Sequence, residues 1–244
     1  MKSSFLLSTL MLPLASVAKT AQNIHIGVYM ANDSQVLDTA AVDILGCMSK
    51  QFISTLPRGL PPNITWDQVP DVKVSYITAD EQGQDMIMSS DMVVRATHTI
   101  DDEEVAPGKL DMVVVPGPSR WNNLDKRGLD WVREQYTKGV DILSICTGIF
   151  ICCDAGIASG KKATGPKPLQ KLLKAKYPDV DFQGDKYRYL QDGNFWSSGS
   201  VTNGNDLLAA YARASSLWPQ PIVEMILDLM DTGNRGQTFA NVKF

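Results

Sequence analysis

The sequence predicts an α/β fold: a mostly parallel sheet sandwiched between helices. Three observations carry this. Apolar runs of strand length alternate along the chain with segments whose apolar residues recur at helical spacing. Two of those runs, residues 110–115 and 140–145, read as strands covered on both faces. Turn-forming residues such as Pro116-Gly117-Pro118 and Gly139 punctuate the alternation.

Taken in order, residues 24–30 (IHIGVYM) form the first strand, rich in apolar and β-branched residues. From Thr39 onward Val42, Leu45, Met48 and Phe52 predict a helix. Residues 72–77 (VKVSYI) alternate as a strand, and residues 92–100 read as another, paired with 86–88 across Ser89-Ser90-Asp91. After the buried strand at 110–115, Leu129, Val132 and Tyr136 mark a helix ended by Gly139. The buried strand at 140–145 (VDILSI) leads into a helix over 147–158, ended by Gly160, and a short amphipathic helix follows at 169–177. Residues 187–190 and 195–197 flank Gln191-Asp192-Gly193-Asn194, a hairpin turn. Two last helices, 207–217 and 222–230, are split by Trp218-Pro219-Gln220-Pro221. Repeated strand–helix units of this kind build one parallel sheet with helices on both faces.

Composition narrows the function. The chain has 244 residues, with 23 Lys and Arg against 27 Asp and Glu, a formal net charge of -4. No basic run is present to neutralise phosphates, so nucleic acid is not an expected partner. Lys2, the apolar stretch at 5–17 and the small residues Ser16-Val17-Ala18 read as a secretory signal peptide over 1–18. One α/β domain is then expected over 19–244, in the secretory lumen or secreted, without membrane attachment after cleavage. Asn63-Ile64-Thr65, in a proline-rich loop, reads as an N-glycosylation acceptor at Asn63. Four cysteines are too few for a disulfide framework, and mostly free, buried thiols are expected.

In an open α/β sheet, sites form beyond the carboxyl ends of strands. Leu143-Ser144-Ile145-Cys146-Thr147-Gly148 puts a thiol at such a strand–helix junction. The helix start favours thiolate, which predicts a Cys146 ionised near neutral pH; the bland reading is a buried small hydrophobe. His25 and His98 are the only histidines, both in strands well before Cys146, and read as structural. Phe195 and Trp196 read as pocket lining or as core, Asp206 as an orienting group or a first-turn acid, and Met86, Met88 and Met92 as core filler. Cys47, Cys152 and Cys153 read as buried helix residues.

The stretches 144–150 (SICTGIF), 154–157 (DAGI) and 159–164 (SGKKAT) resemble the nucleophile elbow and following helix of the ThiJ/PfpI superfamily, which has the class I glutamine amidotransferase-like, flavodoxin-like fold. Residues 192–206 resemble its late hairpin and helix entry, and Val36-Leu37-Asp38-Thr39 with Asp43-Ile44-Leu45 its first strand–helix loop. The Cys-Thr-Gly elbow and Leu-Asp loop are most similar to the isonitrile hydratase branch. The resemblance implies a cofactor-independent hydratase or lyase for a small electrophilic metabolite, of the kind that converts an isonitrile to an N-substituted formamide, and a homodimer. It assigns Cys146 as nucleophile, Asp38 as proton donor and Thr147 as their neighbour at the sulfur. Gly117, Gly148, Gly165 and Val201 fall at substrate-binding or oxyanion positions. For Asp38 alone, a helix cap before Thr39 is the bland reading.

The chain departs from that pattern at Gly117-Pro118, Ala40-Ala41 and Gly165-Pro166-Lys167. Proline has no N–H to give an oxyanion. Two other classes therefore stay open: a redox-responsive protein with an oxidisable Cys146, and a binding module that has lost the reaction.

Exported from a eukaryotic secretory host, the protein should begin near Lys19 and carry a glycan mass that Asn63→Gln removes, read by intact-mass spectrometry. A secreted product that still starts at Met1 would refute the signal-peptide reading.

Overall fold

The computed structural model describes residues 23–31, 34–80 and 85–239. The expected signal peptide lies outside the described residues. The chain opens with β1 (Asn23–Tyr29), then α1 (Val36–Ala40), α2 (Asp43–Gly46) and α3 (Lys50–Ile53). It continues through β2 (Asp71–Thr78), β3 (Asp85–Ile87), β4 (Val93–Arg95), β5 (His98–Thr99) and β6 (Met112–Val115). Next come α4 (Lys126–Thr137), β7 (Asp141–Ser144), α5 (Gly148–Asp154), β8 (Lys162–Ala163), α6 (Gln170–Lys176) and β9 (Asp181–Phe182). The hairpin β10 (Tyr189–Asp192) and β11 (Phe195–Ser198) precedes α7 (Thr202–Ala214) and α8 (Gln220–Leu229).

Seven strands form the central sheet in the order β10-β11-β7-β6-β1-β2-β5, parallel except for the β10–β11 hairpin at one edge. Side chains alternate across it. Ile24, Ile26, Val28, Met112 and Val114 face the core beneath α1–α3, α7 and α8. Val113, Val115 and Ile142 face the second core, filled by Trp131 and Val132 of α4, Ile149 to Cys152 of α5 and Leu173 of α6. Both faces are thus apolar, which is why the central strands β6 and β7 carry so few charges.

Several boundaries differ from the sequence reading. The helix expected from Thr39 is three short turns, and Ser49, extended and accepting from Phe52 N–H at 3.2 Å, starts the last of them. The apolar spacing persists because all three turns pack on one core. The strand expected at 92–100 is two: β4 pairs with β3, while β5 joins the main sheet beside β2. Asp91, at φ 56, makes the turn of the β3–β4 hairpin. The helix after Cys146 stops at Asp154, since Gly156 takes φ 79 four residues before Gly160. The short parallel pair β8–β9 had no periodicity to announce it. Phe195 and Trp196 are core residues, Trp196 edge-on to Tyr211 at 5.5 Å. Met86 and Met88 are buried as expected, whereas Met92 is exposed.

The docking of α4 depends on one glycine. A Cβ at Gly128 would sit 1.6 Å from the hydroxyl of Tyr29, which is itself buried against Trp131. Gly128→Ala should therefore cost about 2 kcal/mol despite alanine's better helix propensity, measured by urea unfolding. Unchanged stability would mean that Tyr29 has room to move.

Candidate active site

The site is assembled where four loops meet at the carboxyl end of the sheet. After β1, Ser34 pairs with Pro118, and Gln35 N–H donates to Gly117 O at 2.9 Å. This ties the first loop to the loop after β6 and delivers Asp38, in the first turn of α1, into the interior with no solvent exposure. Asp38 is no helix cap: α1 begins at Val36, and its capping position, Gln35, makes no side-chain cap. Instead Asp38 Oδ2 accepts the Gly117 N–H at 3.2 Å, while Oδ1 has no hydrogen-bond partner among the described residues.

Cys146 follows β7 with φ 56, a left-handed conformation that costs a non-glycine residue of order 1–3 kcal/mol. Its N–H donates to Gly199 O at 3.1 Å, and Ile145 N–H donates to Val115 O at 3.0 Å, so the neighbouring strand ends hold the turn in place. Gly148 lets α5 start here, since a Cβ would lie 2.1 Å from Val115 O. The thiol lies beside the Asp38 carboxyl, with the N–H groups of Val201 and Thr147 directed at the sulfur. Val201 caps α7 at φ 25, a second strained residue touching the same atom.

Gly117 sits between acid and elbow. A Cβ there would meet Thr147 Oγ1 at 2.3 Å and Asp38 Oδ2 at 2.7 Å. Its N–H is already engaged by Asp38, so it is not free to receive an oxyanion. Thr147 donates its hydroxyl to Pro118 O at 2.8 Å, so the proline that lacks an N–H serves through its carbonyl. Gly148 N–H is likewise used, by Ile145 O at 2.9 Å. Gly165 lies apart, on the other face: its Cβ would meet Leu173 at 2.7 Å and Ile149 at 3.2 Å, and its carbonyl accepts from Gln170. Asn63 is exposed in its loop at φ 65.

Burial decides the charges. It raises the Asp38 carboxyl from 3.8 to about 6, although the Cys146 thiol and Gly117 N–H both stabilise the carboxylate. Burial first and the Asp38 charge second push the Cys146 thiol up to about 11, over the opposing pull of the Val201 and Thr147 N–H groups. The expected thiolate near neutral pH is therefore not the resting state. With only seven residues, α5 supplies too weak a dipole to outweigh desolvation of the sulfur. His25 bonds Ser75 at 2.8 Å and His98 bonds Thr97 at 2.9 Å, so neither histidine is engaged with the thiol. All four cysteines are free; Cys47 and Cys152 are buried and Cys153 half-buried. Among the described residues no group of His, Cys, Asp and Glu side chains forms a metal site.

A parallel sheet with a left-handed cysteine at a strand end, facing a buried carboxyl, defines the class: an α/β protein built around a nucleophile elbow. The DJ-1/PfpI family model matches residues 65–214, and the chain belongs to that family. The matched span contains Gly117, Cys146, Thr147 and Val201 but begins after Asp38. A curated relative, isonitrile hydratase of Pseudomonas putida, is 30% identical over 147 residues, which is 59% of this chain and 60% of that protein's length. The fold is shared with a THiJ/PfpI family protein from Pseudomonas syringae (TM-score 0.66, 16% identity, covering 91% of this chain and 81% of that one). It is shared too with Drosophila melanogaster DJ-1beta (TM-score 0.63, 18% identity, covering 86% of this chain and 98% of that one).

Because the native site holds its proton on Asp38 up to about pH 6, while the unfolded chain releases it near 3.8, this contribution to stability is full below pH 4 and lost as pH rises through 6. Asp38→Asn should remove that decline, gaining up to about 3 kcal/mol over wild type between pH 4 and 7. Urea melts across that range measure it, and parallel pH profiles for the two proteins would contradict the buried carboxyl.

Proposed function

We propose that this protein is a cofactor-independent hydratase of a small electrophile, with an isonitrile as the substrate class, Cys146 as nucleophile and Asp38 as proton carrier. The observation that carries the reading is the buried Cys146–Asp38 pair, with a protonated thiol beside a carboxyl that titrates at about 6. At neutral pH the pair rests as thiol and carboxylate. As sulfur attacks the terminal isonitrile carbon, Asp38 takes the S–H proton and returns it to that carbon, leaving a thioimidate on Cys146. Asp38, again a carboxylate, then draws a proton from water as the water oxygen adds to the same carbon, and passes that proton to the imine nitrogen. Collapse of the adduct breaks the C–S bond as Asp38 relays the remaining hydroxyl proton to sulfur, which releases the N-substituted formamide and restores the thiol and the carboxylate. Isonitrile plus water gives formamide, with no electron donor or acceptor needed.

The tightness of the site supports a slender, linear reacting group, since Cys146 is 6% exposed and Asp38 fully buried. The similarity to an isonitrile hydratase over part of both chains supports the same class. Pro118 does not argue for a dead site, as its carbonyl anchors Thr147.

Incubation with a small alkyl isonitrile should yield formamide, abolished in Cys146→Ala and reduced about 10²–10⁴-fold in Asp38→Asn. The wild-type rate should rise with pH through about 6 as Asp38 becomes the acceptor, and that limb should vanish in Asp38→Asn. Neither formamide nor a mass adduct on Cys146 would overturn this substrate class.

A further inference from the structure

The segment after α8 turns back across the molecule. Arg188 N–H donates to Gln237 O at 2.8 Å, Phe239 N–H donates to Lys186 O at 3.0 Å, and Tyr187 bridges Thr238. The Arg188 guanidinium also donates to the carbonyls of Gly236 and Thr238 and lies 4.7 Å from the centre of the Phe239 ring. From Arg188 the bonding runs inward. Its carbonyl accepts Gly199 N–H at 2.8 Å, and Gly199 O accepts the Cys146 N–H at 3.1 Å.

A second line starts at Arg235. Its Nε and Nη2 reach both oxygens of Asp206, at 3.0 and 2.6 Å, and Nη2 also donates to Thr202 O at 2.7 Å. The Asp206 side chain is only 3% exposed, so this fork is sheltered from competing water on the carboxylate side. Thr202 opens α7 directly after Val201, the strained residue whose N–H faces the Cys146 sulfur. One strap therefore reaches one residue by two routes, at its backbone nitrogen and at its sulfur.

We infer that residues 235–239 form a positioning strap for the nucleophile, with Arg235 as the residue that fixes the first turn of α7 and so keeps Val201 against Cys146. A valine at φ 25 holds that conformation only when its surroundings impose it, and Arg235 is the charged group that grips the turn. Arg235 touches no reacting atom and acts through Val201. The inference rests on Cys146 being the reactive group, and alkylation reads that thiol whether or not isonitriles are its substrate.

The test is the rate of iodoacetamide modification at Cys146 in the folded full chain at pH 8, resolved from the other cysteines by peptide mass mapping. Arg235→Ala should slow Cys146 about tenfold, the effect of losing one hydrogen bond to the thiolate, with the rates at Cys47 and Cys153 unchanged. Arg235→Lys keeps the charge at Asp206 but loses the fork, and should slow it about threefold. That variant carries the test if the alanine variant does not fold. Arg127→Ala, which breaks a surface pair with Asp101, should match wild type. An unchanged or faster Cys146, or an equal change at every cysteine, would overturn the assignment.

Discussion

The candidate site of this protein is a space withdrawn from water that contains two groups able to carry a negative charge. Asp38 and Cys146 are both withdrawn from water, so ionising either raises the cost of ionising the other. The Val201 and Thr147 N–H groups lower the cost on the sulfur side, and the Gly117 N–H lowers it on the carboxyl side. The proton affinities of the pair are thereby set by short contacts within the fold and little by bulk solvent. The left-handed turn at Cys146 and the absence of a side chain at Gly117 are the backbone conditions for that closeness.

The sheet was largely legible in the sequence, because strands covered on both faces must be apolar along their length and the punctuation between them must be glycine, proline or polar. β6, β7 and the β10–β11 hairpin lie where such runs and the Asp192-Gly193 turn stand. Elements held mainly by tertiary contacts were not legible. The turns α1 to α3 share one apolar stripe and read as one helix, and β5 is too short, at two residues, to show an alternation of its own. Cys146 and Asp38 were recognisable by motif, and their proximity became visible only with the Ser34–Pro118 and Gln35–Gly117 pairings. The protonation state was misjudged, since local sequence shows the helix start after Cys146 and not the depth at which the sulfur lies. Arg235 gave no signal at all: a lone arginine near a glycine-rich tail looks like any solvated charge.

The departures from the family pattern acquire distinct physical meanings. Pro118 removes a backbone donor and keeps its carbonyl, which accepts the Thr147 hydroxyl and orients it. Gly165-Pro166 wedges α6 against α5, with Gln170 bonding the carbonyls of both residues. One change therefore alters the immediate wall of the site, whereas the other alters packing on the far face of the sheet. They need not have arisen for the same reason.

The parts of the site are strung far apart along the chain: Asp38 near one end, Gly117 and Cys146 in the middle, Val201 and Arg235 toward the other. Parallel sheets assembled from such distant segments are slow to form, because long loops must close before their contacts are made. During synthesis, a chain that has emerged only as far as α5 already carries its sulfur, but as an ordinary cysteine of an unfinished sheet. The contacts that set its proton affinity are complete only after the hairpin, α7 and the returning strap have closed over it, so the protonation state of this sulfur is a property of the finished fold.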